Sequence, residues 1–232
     1  STVRKQFFPD DKVCFAGINT WRGVTVHKPI LTGKSYMRVG SIDTGKMVIY
    51  PIVDNVDGQG NQLINWMAEI EGDSRDMNDW NSGGKIEDFM PIFKDWRFDW
   101  LDVPALIRNA DQVLEYPMVD KDPIAQWTFG RVTLMGDAAH PMLPYLAQGA
   151  GMAIEDASEL GAQLANASTF DISQCLQAFA HARWQRNARV QARAVRNGQI
   201  FHATGPMRVG RDMGLRLMGG RLMNVPWLYG YR

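Results

Sequence analysis

Five runs of β-branched, aromatic and other apolar residues occupy the first third of the chain, at positions 13–16, 20–26, 35–39, 46–50 and 62–70. Turn-forming residues separate them. Short runs of this kind are typical of strands. The pattern predicts an antiparallel or mixed β-sheet.

The pattern changes after a polar, glycine-rich stretch at residues 71–84, which predicts a surface loop. Residues 86–93 and 103–109 then follow helical spacing, and the aromatic residues Trp96, Phe98 and Trp100 between them indicate core rather than a ligand platform. Two further strands are predicted at 114–119 and 131–135, the second one buried because its centre is fully apolar.

The last third of the chain is predicted to be helical. From Ala150, small and apolar residues recur every three or four positions and form one packing stripe of Ala153, Ala157, Leu160, Gly161 and Leu164. A second helix over residues 174–200 carries five arginines, Arg183, Arg186, Arg189, Arg193 and Arg196. They form either a nucleic-acid surface or a face that meets solvent or acids elsewhere.

Composition favours the second interpretation. The 232 residues contain 25 Lys plus Arg and 25 Asp plus Glu, so no overall field attracts nucleic acid or an acidic membrane. Two distant cysteines, Cys14 and Cys175, have no metal-binding spacing and indicate free thiols in a reducing, cytoplasmic compartment. We predict no metal site and no membrane span. Because the chain opens on Ser1 rather than Met, we expect a preceding N-terminal segment.

One phosphate-loop match is rejected on sequence grounds. Residues 40–47 nearly fit G-x4-G-K-[ST], but Met47 stands where the magnesium-binding hydroxyl belongs. A strand pattern follows where that loop requires a helix. The segment Asp43-Thr44-Gly45 is therefore predicted to be a hairpin turn.

The stretch at residues 134–151 carries the candidate chemistry. An apolar strand ends in Gly136-Asp137, a Pro-bounded loop follows, and a helix begins near Gly149. Free N–H groups and the dipole at a helix start favour an anion or an electron-rich oxygen. The spacing is not that of a dinucleotide fingerprint, whose third glycine would fall on Ile154.

Local pattern leaves the role of Asp137 open. Its carboxylate can accept hydrogen bonds from ligand hydroxyls, or it can cap the turn at residues 138–140. His140 is three residues further on, but two ligands do not make a metal site. For His140 we therefore predict a packing or loop role.

The run GRVTLMGDAAHP at 130–141, with Pro144, QGAG at 148–151 and IEDA at 154–157, resembles the GD motif and flavin loop of single-component (class A) FAD-dependent aromatic monooxygenases. The segments WRGV at 21–24, YPI at 50–52, INW at 64–66 and YPMVDKDP at 116–123, with Trp127, are similar to the 5-methylphenazine-1-carboxylate monooxygenase branch. WLYGY at 227–231 is similar instead to hydroxybenzoate and salicylate hydroxylases.

The resemblance implies an α/β fold of mixed α+β character, the C-terminal part of an FAD/NAD(P)-binding fold. We expect a mixed-sheet substrate-binding domain over residues 1–127, a flavin-binding strand, loop and helix over 128–166, and a C-terminal helical segment over 167–232. The family's G-x-G-x-x-G segment is absent from the chain. We therefore expect the 232 residues alone to bind FAD poorly and to be inactive.

The family pattern also assigns cofactor roles. Asp137 would bind the flavin ribityl hydroxyls, and the loop and helix start would hold the isoalloxazine edge mainly through backbone atoms, where N–H groups stabilise negative charge at N1 and O2. These latter residues are Gln148, Gly149, Ala150, Gly151 and Met152. Gly136 and Pro144 belong to the same predicted site. Ser1 and Arg4 resemble the end of the D-G-x-x-S-x-x-R segment, which makes Arg4 a predicted cofactor residue.

Two positions depart from the family pattern. Many relatives have Gly at the position of Leu146 and Asn at that of Gly151, which bears on loop movement and on one flavin contact.

The implied reaction uses NADH or NADPH to reduce the flavin and O2 to form a C4a-hydroperoxide, from which one oxygen atom passes to an aromatic ring. No residue of the chain is predicted to be catalytic. The substrate is expected between the early sheet and the flavin loop, where Trp21, Tyr50, Tyr145 and Leu146 are candidates that core packing explains equally well. Arg22 would bind a substrate carboxylate or form a structural salt bridge.

Two other classes stay open: a flavoprotein of the same fold that does not hydroxylate, and a non-catalytic binding fragment. The expected partners are a small aromatic substrate, O2 and NAD(P)H, with a homodimer as an option. Neither nucleic acid nor a membrane is expected as a partner.

Overall fold

The computed structural model describes residues 1–73, 82–165, 168, 171–219 and 225–230. The chain falls into two compact units. The sheet unit comprises Phe15–Met118, and the turn unit comprises Ser1–Cys14 together with Val119–Arg232. The three-part division with boundaries after residues 127 and 166 stays a prediction.

Strands and helices alternate irregularly along the chain. The strands are β1 Cys14–His27, β2 Met37–Ser41, β3 Gly45–Val53, β4 Gln62–Glu71, β5 Ser82–Gly83, β6 Arg97–Phe98, β7 Leu101–Asp102, β8 Val113–Asp120, β9 Thr128–Phe129 and β10 Val132–Thr133. The helices are α1 Thr2–Phe7, α2 Ile86–Phe93, α3 Val103–Arg108, α4 Gly149–Leu164, α5 Ile172–Phe201, α6 Gly205–Met218 and α7 Pro226–Tyr229. The predicted mixed α/β class is confirmed.

A six-stranded sheet with the order β2-β3-β4-β1-β8-β5 forms the frame of the sheet unit. The pairs β1–β4, β2–β3, β3–β4 and β5–β8 are antiparallel. The predicted break between the runs at 13–16 and 20–26 was wrong, because β1 continues through Gly17. The loop predicted at 71–84 is partly strand, with Glu71 ending β4 and Ser82–Gly83 forming β5, and residues 74–81 lie outside the described residues.

The hairpin predicted at Asp43-Thr44-Gly45 is confirmed. One 3-10 turn, Ile42–Thr44, connects β2 to β3, and Ser41 pairs with Gly45 in the antiparallel register. Strand β3 then runs on to Val53, where a phosphate-binding loop would need a helix.

Alternate residues of the central strands form the apolar core of the sheet unit. Gly23 pairs with Trp66, which pairs in turn with Ile49, so these residues share one face of the sheet. A Cβ on Gly23 would lie 2.4 Å from the Trp66 ring, which explains glycine at this position. Helices α2 and α3 complete the core with Phe89, Phe93, Leu106 and Ile107, all completely buried.

The polar atom of the Trp66 ring is satisfied inside this core. Its Nε1 donates to Thr25 Oγ1 at 3.1 Å, and Thr25 Oγ1 donates to the Leu106 carbonyl oxygen at 2.8 Å. Trp96 and Trp100 pack against the same core, as predicted, whereas Phe98 is 38% exposed and stacks on Trp100.

Helices α4 and α5 pack against each other in the turn unit, and two predictions for this region were wrong. Residues 131–135 form only the two-residue strand β10, which pairs with β9 and leaves Val132 exposed. The predicted packing stripe of α4 is not the buried face, since Ala157 and Gly161 are exposed and the fully buried positions are Met152 and Asp156. The helix buries a charged residue that the apolar pattern does not reveal.

Both cysteines are unpaired thiols, as predicted. Among the helices of the described residues, none is long and apolar enough to cross a membrane.

Candidate functional site

The turn after Leu134 is held by backbone hydrogen bonds. Gly136–Ala138 form one 3-10 turn, and the N–H groups of Ala139 and His140 both donate to the Gly136 carbonyl oxygen at 2.9 Å. Gly136 has a φ of 55°, a left-handed conformation that favours glycine. The N–H groups of Ala139 and His140 thus have backbone acceptors.

The Asp137 side chain is exposed and makes no hydrogen bond or ion pair with any described residue. The alternative that Asp137 caps its own turn was therefore wrong. Its carboxylate is available to a ligand.

Three open amides mark the start of α4. The helix begins at Gly149, and the N–H of Met152 donates to the carbonyl oxygen of Gln148 at 2.8 Å. The N–H groups of Gly149, Ala150 and Gly151 have no acceptor among the described residues, as expected for a first turn. Nothing lies within 4 Å of a Cβ built on Gly149, so there is room for a ligand at this amide. Among the predicted donors, the Met152 N–H already donates to an acceptor in the protein.

Asp156 links this helix to the turn. Its carboxylate is completely buried and accepts four hydrogen bonds, from Gly136 N at 3.1 Å, His140 Nε2 at 2.6 Å, Arg183 Nε at 2.9 Å and Asn187 Nδ2 at 3.2 Å. Burial by itself raises the pKa of Asp156, but these hydrogen bonds and the charge of the partners outweigh burial and lower it. Sequence analysis quoted Asp156 within the segment 154–157 but assigned it no role.

His140 belongs to this network, which confirms its predicted packing and loop role. The ring is 1% exposed, lies 5.3 Å from the Trp127 ring centroid and contacts Asp156 through Nε2. Among the described residues, no group of three or more His, Cys, Asp or Glu side chains could hold a metal ion.

Arg4 supports the end of the same turn. It is 1% exposed, donates through Nε and a terminal nitrogen to both oxygens of Asp11 at 2.8 and 2.9 Å, and donates to the Ala139 carbonyl oxygen at 2.9 Å. Weaker bonds of 3.4 Å reach the carbonyl oxygens of Ala138 and Asp122. All three guanidinium nitrogens therefore have protein acceptors, and the cofactor role of Arg4 stays a prediction.

Two of the five α5 arginines, Arg183 and Arg186, pair with acids elsewhere in the chain, as one of the interpretations predicted. Arg183 is completely buried between Asp156 and Glu155, and Arg186 forms a bidentate pair with Glu155 at 2.7 and 2.8 Å. Arg186 also donates to the carbonyl oxygens of Trp227 and Leu228. Further along, Arg189 lies over the Trp227 ring at 3.9 Å.

The loop candidates pack on α5 and the C-terminal segment. Pro144–Leu146 form a 3-10 turn in which Pro144 is exposed. Tyr145 is 7% exposed and lies edge-on to the rings of Phe201 and His202. Leu146 packs against an apolar cluster that includes Met152, Val190, Val225 and Leu228. Packing accounts for both Tyr145 and Leu146.

The sheet-unit candidates lie on two faces. Trp21 is in the apolar core, with its ring 5.1 Å from that of Phe89, so packing accounts for it. Arg22 is on the opposite face, together with Tyr50, by the strand register. Arg22 is exposed and donates from Nε to Asn65 Oδ1 at 2.7 Å. It makes no ion pair with a described residue, and the choice between a substrate carboxylate and a structural salt bridge stays a prediction.

The face that carries Arg22 is unusually polar for a sheet. Lys46 and Glu69 form an ion pair on it at 2.5 Å, with both side chains at most 4% exposed. Burial raises the pKa of the nearby Tyr116 to about 12, with Arg22 opposing the rise and Glu69 and Tyr50 adding to it. Tyr116 therefore keeps its proton and can donate a hydrogen bond.

This chain is similar to one known protein family and to several known proteins. The "FAD binding domain" family matches residues 113–194. Phenazine 1,6-dicarboxylic acid hydroxylase PhzS of Lysobacter antibioticus is 39% identical over 183 residues, which are 77% of this chain and 44% of the relative. 3-Hydroxybenzoate 6-hydroxylase 2 of Aquipseudomonas alcaligenes is 42% identical over 198 residues, 80% of this chain and 55% of the relative.

A solved structure shows the same fold. Klebsiella pneumoniae HpxO, complexed with FAD and uric acid, superposes with a TM-score of 0.76 at 21% identity, covering 96% of this chain and 55% of that one. The chain belongs to the class A FAD-dependent aromatic monooxygenase family. It spans about half the length of the curated relatives it matches.

Proposed function

We propose that this chain is the flavin-loop and substrate-sheet part of an enzyme that hydroxylates a small aromatic molecule with FAD, NADH or NADPH, and O2. The support is family membership, together with two relatives whose names state hydroxylation of aromatic acids. The predicted site residues Gly136, Asp137, Pro144 and 148–152 remain part of the proposal.

The proposal rests on one free hydrogen-bond acceptor and three free hydrogen-bond donors in the turn unit. The Asp137 carboxylate is exposed and without a described partner, and the amides of Gly149, Ala150 and Gly151 are open. A carboxylate suits the hydroxyls of a ribityl chain, and open amides suit an electron-rich carbonyl edge. FAD offers both groups, so these residues fit the cofactor.

Each residue would then have a defined task. Asp137 binds and orients the sugar-alcohol chain by accepting hydrogen bonds. The amides at the start of α4 stabilise negative charge that develops on the pyrimidine edge, and they are preorganised because the helix fixes their direction. When bound, FAD supplies the electron transfer and the oxygen chemistry, and the chain positions the reactants and excludes water.

The substrate is proposed to be an aromatic acid. Arg22 has no carboxylate partner among the described residues, and its printed hydrogen bond, from Nε to Asn65 Oδ1, does not use the terminal nitrogens. A planar guanidinium binds a carboxylate through two parallel hydrogen bonds. Tyr50 shares this face of the sheet and offers an aromatic surface. Trp21, Tyr145 and Leu146 are weaker proposals because packing accounts for each.

The cofactor test uses protein expressed from its complete open reading frame. A flavin absorption spectrum and FAD titration are measured for the natural protein, Asp137→Asn, and the matched control Asp111→Asn, an exposed acid of the sheet unit. We expect Asp137→Asn to weaken FAD binding by about tenfold or more, because it removes charge-assisted hydrogen bonds. Equal FAD affinity in the natural protein and Asp137→Asn would contradict the assignment.

The reaction test follows the oxygen atom. NAD(P)H oxidation is screened with hydroxybenzoates and phenazine carboxylates, and product is analysed after incubation under labelled O2. Incorporation of one labelled oxygen into the ring supports hydroxylation. Oxidised product without label would indicate a flavoprotein of the same fold that does not hydroxylate, and absence of any flavin spectrum would indicate a non-catalytic binding fragment.

Two further proposals concern the state of the protein. Because both cysteines are unpaired thiols, we propose a reducing, cytoplasmic location, which fractionation of the producing cells tests. The homodimer stays a prediction, and sedimentation analysis of the purified protein tests it.

A further inference from the structure

We propose that Asp156 is the positioning residue of the flavin site: its buried carboxylate holds the turn that carries Asp137 in a fixed place relative to the open amides of α4. This inference rests on the proposed function of those two groups. Asp156 itself does not touch the cofactor in this scheme, and it acts through Gly136 and His140.

The two carboxylate oxygens of Asp156 have separate tasks. Oδ2 accepts from the turn, from Gly136 N at 3.1 Å and His140 Nε2 at 2.6 Å. Oδ1 accepts from α5, from Arg183 Nε at 2.9 Å and Asn187 Nδ2 at 3.2 Å. One side chain thereby connects the turn, α4 and α5.

Asp156 is part of the same helix as the amides. It follows Met152 by four residues on the buried face of α4, and Met152 closes the first turn of that helix by donating to Gln148. A movement of Asp137 relative to Gly149, Ala150 and Gly151 therefore has to break the bonds that Asp156 makes to Gly136 and His140. The Gly136 amide has no other acceptor among the described residues.

The acids and arginines of this network are equal in number. Asp156 and Glu155 are matched by Arg183 and Arg186, so the cluster has two negative and two positive groups. His140 Nε2 lies 2.6 Å from Asp156 Oδ2, and because a carboxylate oxygen only accepts, His140 donates from Nε2.

An asparagine cannot replace Asp156. The carboxamide of asparagine has one oxygen that accepts and one NH2 group that donates. The site, however, presents two hydrogen-bond donors from the turn and two from α5. Whichever way the carboxamide turns, its NH2 group faces donors, and either the turn or α5 is released. Asp156→Asn has almost the shape of the natural residue, which makes it a sharp probe.

The first experiment measures amide hydrogen exchange in this chain. We expect Asp156→Asn to accelerate exchange at Gly136, Ala139 and His140 by about tenfold or more through local opening of the turn. Glu155→Gln is the matched control, because Glu155 shares Arg183 but makes no bond to the turn. Unchanged rates in Asp156→Asn, or equal acceleration in Glu155→Gln, would overturn the inference.

The second experiment measures FAD affinity of the protein expressed from its complete open reading frame, well below the unfolding temperature of each variant. A role in stability alone would lower the unfolding temperature of both variants and leave affinity unchanged. The inference predicts a loss of about tenfold in FAD affinity for Asp156→Asn and none for Glu155→Gln. If Asp137→Asn weakens FAD and Asp156→Asn does not, the inference fails while the proposed function stands.

A second variant covers the case in which Asp156→Asn does not fold. His140→Leu removes one donor from the turn side and leaves the pairs of Asp156 with Arg183 and Asn187 intact. It is expected to accelerate exchange at the turn amides and to weaken FAD in the same direction. His140→Gln retains an N–H donor and should partly restore both values. Exchange rates in His140→Leu equal to those of the natural chain would overturn the inference.

Discussion

The two units of this protein bury charge to different extents, since the sheet unit buries the ion pair of Lys46 with Glu69 and the turn unit buries a larger network around Asp156. In the sheet unit, large apolar side chains such as Trp66, Phe89 and Phe93 are completely buried together. In the turn unit, the completely or almost completely buried side chains include Arg4 and Arg183, and both are bound to carboxylates. Apolar contacts tolerate small shifts, whereas hydrogen-bonded charges require fixed geometry.

This difference matches the tasks proposed for the two units. The buried carboxylate of Asp156 fixes the turn beside an open helix start, and a cofactor site gains from such fixed geometry. The sheet unit instead has a face that carries Arg22 and Tyr50, the residues proposed to bind the substrate. The contrast predicts that the two units respond differently to mutation and to acid.

The largest effect is expected for Arg183→Met in the turn unit. Removing this guanidinium leaves Asp156 buried without its charged partner, which costs about 4 kcal/mol in the free energy of unfolding. Chemical denaturation measures the change. Arg196→Met on the exposed side of α5 is the control and should stay within about 0.5 kcal/mol of the natural chain. A cost below about 1 kcal/mol for Arg183→Met would remove the contrast between the units.

Acid should unfold the turn unit first. Burial by itself raises the pKa of Asp11, Glu155 and Asp156, but hydrogen bonds and charges from their partners outweigh it, so all three are lowered. A carboxyl with a lowered folded pKa stabilises the fold above its unfolded pKa, and this stability is lost as pH falls through the folded value. Loss should therefore begin below about pH 4.

Amide exchange at decreasing pH measures this order. Protection should disappear from α4 and α5 before it disappears from β1 and β4. Asp57 in the sheet unit also has a lowered pKa, through hydrogen bonds from Asn61 and Gln59, but it lies in an exposed turn and contributes little to the fold. If amide protection is lost in both units at the same pH, protonation of the buried carboxylates in the turn unit is not the cause of acid unfolding.

A smaller effect is expected for Ile64→Val in the sheet unit. Ile64 is completely buried, and removing one methylene group should cost about 1 kcal/mol. Because the change involves no charge, its cost should be the same at neutral pH and at about pH 4, whereas that of Arg183→Met should shrink as its carboxylate partners are protonated. Unfolding curves at both pH values test the difference.

The smallest effect on stability is expected for Asp137→Asn. The carboxylate is exposed and has no described partner, so the free energy of unfolding should change by less than about 0.5 kcal/mol. Thermal unfolding without added flavin measures it. A clear loss of stability would mean that Asp137 serves the fold, which would weaken its assignment to a cofactor.

Sequence reasoning succeeded for several local elements. Helix α2 was predicted with its exact bounds at 86–93, and the turn before Gly45 was predicted from its residues. The start of α4 at Gly149 was also predicted, because glycines after a Pro-bounded loop indicate it. The prediction of the buried face of α4 was wrong. A helical pattern is recognised from its apolar residues, whereas one of the residues that this helix buries is the charged Asp156.

Resemblance to a family supplied the candidate cofactor residues. The structure then showed which of them already have hydrogen-bond partners in the protein. Asp137 is open, the Met152 amide is already bonded, and Arg4 is enclosed by Asp11 and backbone carbonyls. These distinctions depend on which donors and acceptors are satisfied. Composition and spacing cannot reveal them.

The sequence by itself determined helix α2, the hairpin before Gly45 and the place of the candidate site after residues 134–136, because periodicity and turn chemistry act over a few neighbouring residues. Only the tertiary structure decided that Asp156 joins Gly136 and His140 to Arg183. The reason is physical: a carboxylate is buried only when donors distant in sequence converge on it, and that convergence exists only in the folded chain.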